Sequence, residues 1–253
     1  MTVRARYVYA ITQSIPDVLL TGVTGIGGAP VTTVRERNLV AVVSDVDLRE
    51  FDEDSVRAKL EELAWLEGLA CAHRHVVDEV SVLAPIAPMR LVTTCLDDEA
   101  VRDRLASWHD ELVRVLAQVD GRLEWGVKAF APPPAALAVG CPTGPLNGVG
   151  HLRDKKLRAG APRPPGRSVI PAAEVHEALA AIADADRRLP TQDPVSAERD
   201  AEMVLNAAYL VPRSAGSAFQ GRVQTLREEH PGLRIECRGP WPPYTFALLD
   251  HDR

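Results

Sequence analysis

The run Gly239-Pro240-Trp241-Pro242-Pro243-Tyr244-Thr245-Phe246, near the end of a 253-residue sequence, limits more than any other stretch what the chain can form. Proline fixes φ and removes an amide donor, so a run with three of them cannot be a central strand. It reads instead as a stiff, extended corner that displays aromatic side chains. Trp and Tyr offer large apolar area at low entropic cost, and prolines hold them in place before a partner arrives. The residues predicted to bind a partner are therefore Trp241, Pro242, Pro243 and Tyr244. Phe246 and Leu248 are expected to face inward and cap a core.

Hydrophobic residues make up 46% of the chain, enough for one large core or two ordinary ones, and two domains are expected. A net charge of −6 provides no global basic field, so neither nucleic acid nor an anionic membrane is an expected partner. The four cysteines, Cys71, Cys95, Cys141 and Cys237, have no framework spacing, and no signal peptide or apolar span precedes them. The expectation is a reduced, cytoplasmic protein.

In residues 1–130 an extended segment at Tyr7 to Ile11 is followed by a glycine-containing loop. Two further strands, around Val31 to Val34 and Leu39 to Ser44, are joined as a hairpin at Arg37-Asn38. One helix is predicted from about Asp54 to Val80, with Val56, Leu60, Leu63, Leu66, Ala70, His73, Val77 and Val80 in an apolar stripe. Met89 to Cys95 reads as extended. A second helix after Asp97-Asp98-Glu99 places Val101, Leu105, Trp108, Leu112, Val115 and Val119 on one face. Leu123, Trp125, Val127 and Ala129 then alternate with Arg122, Glu124, Gly126 and Lys128, as in a strand with one polar side. This order predicts an α+β, ferredoxin-like domain: an antiparallel sheet with helices on one face.

Residues 131–166 are rich in proline and glycine and read as a linker, interrupted by a short basic stretch from His151 to Arg158. Residues 167–253 form the second, smaller α+β domain, which ends in the proline-rich corner. Its predicted parts are a helix from about Pro171 to Arg188, a strand from Met203 to Val211, a helix capped by Ser214, and a closing strand at Leu233, Ile235 and Cys237. Strand, helix and strand recur in Pro88 to Phe130 and in Val204 to Phe246, which suggests two related units.

The catalytic candidates each have a plainer reading. Cys71, His75 and Glu79 share one helix face, but without a second ligand cluster they read as a solvated face rather than a metal site. His73 lies in the apolar stripe and reads as a satisfied core histidine. The glycines from Gly22 to Gly28 lack the Lys-Ser/Thr of a phosphate loop and precede a hairpin, so they read as a flexible loop. Cys95 stands on a predicted strand without an evident base. No catalytic, cofactor-binding or metal residue is assigned, and no cofactor is expected.

The corner closely resembles the GPWPPYSF-type signature of the gas vesicle protein F/L (GvpF/GvpL) family. Further segments resemble it too: Tyr7-Val8-Tyr9-Ala10-Ile11, Gly25-Ile26-Gly27 with Pro30-Val31, Leu39-Val40-Ala41-Val42-Val43-Ser44, Trp65 and His73 in the first long helix, and Leu123-Glu124-Trp125-Gly126-Val127-Lys128. The resemblance is strong over residues 5–130 and 200–250 and weak between them. It implies a non-enzymatic accessory or minor shell protein, cytoplasmic and associated with the gas vesicle. Such a protein would bind the hydrophobic major shell protein, prevent its aggregation and assist nucleation and assembly. The alternatives are a scaffold linking other gas vesicle accessory proteins and, further off, a small-ligand enzyme on a ferredoxin-like fold.

Overall fold

The computed structural model describes residues 4–59, 61–131, 169–191 and 201–247. The predicted linker, Cys141 and the basic stretch lie outside them, as does Leu248. Two compact units emerge. One comprises Met1–Trp125, Leu210–Ser214 and Gly239–Arg253; the other comprises Gly126–Tyr209 and Ala215–Arg238.

The first unit is built on strand β1 (Arg4–Thr12), which pairs antiparallel with β3 (Leu39–Asp47). β2 (Val31–Glu36) forms the hairpin with β3, and two short strands, β4 (Ala87–Pro88) and β5 (Thr94–Cys95), also pair with β1. A bulge between Val8 and Ala10 resets the alternation of β1, so Tyr7, Tyr9 and Ala10 share one side while Val8 and Ile11 face the other. Both sides are buried. The first carries Val40, Val42 and the helix α3 (Leu63–Ser81); the second carries Ala41, Val43 and the helices α4 (Asp98–Ser107) and α5 (His109–Val119). The α+β class is as predicted, but helices cover both faces of this sheet. The uninterrupted apolar run from Leu39 to Val43 requires that, since no residue of it tolerates solvent.

The single helix predicted from Asp54 to Val80 is two, α2 (Glu53–Lys59) and α3, and a short helix α1 (Leu48–Phe51) precedes them. Glu62 is extended (ψ 95°), which breaks the stripe, and Leu63 is left 73% exposed. The buried face of α3 is Leu69, His73, Val76, Val77 and Val80. The next helix also divides, at Trp108, into α4 and α5, with Asp97 capping the first through Ala100 N–H at 2.8 Å. The extended segment expected from Met89 to Cys95 is interrupted by a left-handed residue, Val92 (φ 68°), leaving only β5 within it, with β4 just before.

In the second unit and at its boundary, a four-stranded sheet has the order β7-β8-β6-β9: β6 (Arg122–Ala131), β7 (Ala185–Arg188), β8 (Glu202–Pro212) and β9 (Arg234–Trp241). Helix α6 (Val169–Ala180) packs with α7 (Gly216–Glu229), burying Val175, Leu179, Phe219, Val223 and Leu226. The predicted helix ends earlier than expected, and β7 follows it. Ser214 does not cap α7; its N-cap is Ala215, which makes no side-chain cap bond.

Candidate functional site

The proline-rich corner falls in the first unit, and its first residues, Gly239 to Trp241, form the end of strand β9. Pro242, Pro243, Phe246 and Ala247 are buried, while Trp241 and Tyr244 are half-buried. The anchor is Glu124, only 4% exposed, whose carboxylate accepts from Thr245 N–H at 2.7 Å and from Thr245 Oγ–H at 2.6 Å. Alternation had put Glu124 on the polar side of its strand; two hydrogen bonds from a residue 121 positions away make its burial tolerable. Gly239 shows how closely the chain passes β6. Its φ is 123°, and a Cβ there would lie 2.9 Å from the Glu124 carbonyl oxygen.

Tyr244 also joins a buried aromatic cluster. Its ring lies 6.5 Å from that of His73, which is 5.7 Å from both Tyr7 and Tyr9. Tyr7 Oη accepts from Val92 N–H at 3.0 Å and is hydrogen-bonded to His73 Nδ1 at 3.1 Å. Burial holds the His73 pKa down, from 6.5 to about 4, and the Met89 carbonyl, which favours the charged form, offsets only part of that. Burial likewise pushes the phenols of Tyr7 and Tyr244 up. Beside this cluster is an open groove of about 550 Å³, walled by Ala70, His73, Met89, Leu91 and Tyr244, with Arg74 and Arg90 also lining it.

The other candidates are dispersed. Cys71, His75 and Glu79 are exposed on α3. The glycine loop contains a turn, Ile26–Gly28, whose Ile26 N–H donates to Tyr9 Oη at 2.8 Å, so it is fastened to the core. Burial pushes the Cys95 thiol pKa up. Among the described residues no helix is long and apolar enough to cross a membrane. The Glu124–Thr245 link and the Tyr7–His73 pair are not legible in the sequence, because each joins residues far apart in the chain; the polar Glu124 between Leu123 and Trp125 is the available hint.

A family model described as gas vesicle synthesis protein GvpL/GvpF matches residues 5–142 and 167–248. The chain belongs to the GvpL/GvpF family. It is 39% identical over 252 residues to gas vesicle protein L of a Streptomyces species, covering 97% of this chain and 94% of that one. It is 27% identical over 255 residues to gas vesicle protein F of the same strain, covering 95% and 98%. The crystal structure of GvpF from an Anabaena species shares the fold, with a TM-score of 0.69 at 21% identity over 98% of each chain. The GvpL/GvpF match thus takes in both the anchoring Glu124 and the corner it holds.

Proposed function

We propose that this protein is a non-enzymatic accessory factor of gas vesicle assembly that engages the hydrophobic major shell protein through its proline-rich corner. An apolar subunit destined for a β-rich wall pairs edge to edge and aggregates unless its surface is shielded until it is placed. Family membership along nearly the whole chain supports the setting. The observation that carries the contact site is the corner itself: Pro242 and Pro243 are buried and fix the backbone, while Trp241 and Tyr244 keep part of each ring exposed. Aromatic anchors held in this way lose little entropy when a partner arrives. Greater identity to protein L than to protein F of one strain favours the L type.

The test is co-expression with the major shell subunit, measuring how much of that subunit stays in the supernatant. The reading predicts that the protein keeps the subunit dispersed and co-purifies with it. Co-purification with other accessory proteins, with none of the shell subunit retained, would replace it with the scaffold reading.

A further inference from the structure

A sheet edge is a row of unpaired N–H and C=O groups, and proteins blunt such edges with shortness, charge or proline. Three of the four sheet edges among the described residues are blunted in this way. In the first unit β4 and β5 are two residues each, separated by left-handed Val92. In the second sheet β7 is four residues long and carries Asp186, Arg187 and Arg188, while β9 carries Arg234, Glu236, Arg238 and Pro240. The fourth edge, β2, is different. Its Val31-Thr32-Thr33-Val34 is uncharged and entirely β-branched, a composition that favours an extended strand.

One bond shows which side of β2 is open. Val31 N–H donates to the Val23 carbonyl at 3.1 Å, away from β3, and alternate residues of an antiparallel ladder face the same way, so the backbone groups of Thr33 and Arg35 also point outward. Among the described residues no hydrogen bond is made to them on that side. The neighbouring turn Asp17–Leu20 engages side chains instead: Asp17 accepts from Thr33 Oγ–H at 2.7 Å and from the Arg35 guanidinium at 2.8 Å. Beside the open groups is a pocket of about 500 Å³ whose apolar wall is Leu20, Val23, Pro30 and Val31. Thr32 and Thr33, whose side chains point to opposite faces of the sheet, both line it, so it opens along the edge itself. Val18 and Leu19, 74% and 47% exposed, lie between its lining residues Asp17 and Leu20 and add apolar surface.

Open backbone groups beside an apolar pocket are the parts of a strand-addition site, in which the ladder supplies affinity and a side chain in the pocket supplies specificity. We propose that β2 takes an added strand from the apolar shell subunit, an extended segment that places an aliphatic side chain in the pocket and pairs its backbone with Thr33 and Arg35. A subunit destined for a β-rich wall presents the kind of unpaired apolar strand that such an edge covers. The inference rests on the assembly role proposed above and adds a contact separate from the corner.

The test uses the full chain, ¹⁵N-labelled, with the probe peptide Ac-Lys-Val-Thr-Val-Thr-Val-Lys-NH2, followed by NMR. The peptide should shift the Thr33 and Arg35 amide resonances saturably and slow their hydrogen exchange by about tenfold near saturation. Affinity should fall by about tenfold for the peptide N-methylated at its central amides, for the peptide with serine in place of valine, and for the Thr33→Pro variant read at the Arg35 amide. If Thr33→Pro does not fold, the surface double variant Val18→Asp/Leu19→Asp should show the same loss. Shell-subunit retention in co-expression should fall with the same variant. The proposal is overturned by no shift up to about 5 mM peptide, by equal binding of the N-methylated peptide, or by a dimer of the protein itself that Thr33→Pro dissociates. Equal retention of the shell subunit by the intact protein and by folded Thr33→Pro removes the edge assignment and leaves the assembly role standing. Peptide binding with no shell subunit retained by the intact protein overturns the assembly role and, with it, this occupant of the edge.

Discussion

Gly25 leaves no room for a side chain: a Cβ there would sit 2.1 Å from Tyr9 Oη, which also binds Ser44 Oγ at 2.7 Å and Ile26 N–H at 2.8 Å. Gly25→Ala is expected to destabilise the protein by roughly 2–4 kcal/mol by forcing the phenol from both partners. In urea unfolding, Gly25→Ala and Tyr9→Phe should be non-additive, since removing the hydroxyl relieves the closest contact and leaves the ring carbon, 2.8 Å from the Cβ position, to shift by a few tenths of an ångström. His73 sets a pH dependence. Its folded pKa is about 4 against 6.5 unfolded, so between those values only the unfolded chain takes up the proton. Stability should therefore rise with pH across that window, by up to roughly 3 kcal/mol, and be level above it. The urea midpoint of His73→Phe should depend less on pH there; His176, held down by burial in the same direction, accounts for a remainder. The sequence marked His73 as a core residue, but whether its two nitrogens were satisfied depended on Tyr7, 66 positions away.

Among the elements, strand and helix types were legible where apolar periodicity was strong, as in β1, β3 and α5. The breaks were not. Apolar residues continue across Glu62 and Trp108, so spacing alone gave long helices where the backbone turns. β7 was missed because Ala185–Arg188 has no apolar alternation to announce a strand. The corner was legible as a rigid element, but the unit in which it packs was not, since that depends on Glu124. Replacing that residue tests the anchor. Glu124→Ala should cost about 2–3 kcal/mol and raise the amide exchange rate of Thr245, whereas Thr245→Val, which keeps the amide bond, should cost about 1 kcal/mol. Unchanged exchange at Thr245 in Glu124→Ala would show that the corner is held by its apolar contacts alone.

For the molecule as a whole, neither composition nor fold names a function; the family segments do, and they are spread along the chain. The central claim is that a gas vesicle shell subunit is held at the corner. The most direct measurement is the amount of shell subunit co-purifying with the intact protein and with the double variant Trp241→Ala/Tyr244→Ala, both checked by circular dichroism. The account predicts a complex with the intact protein and at least a tenfold loss, roughly, with the folded variant. An undiminished complex with the folded double variant would contradict it.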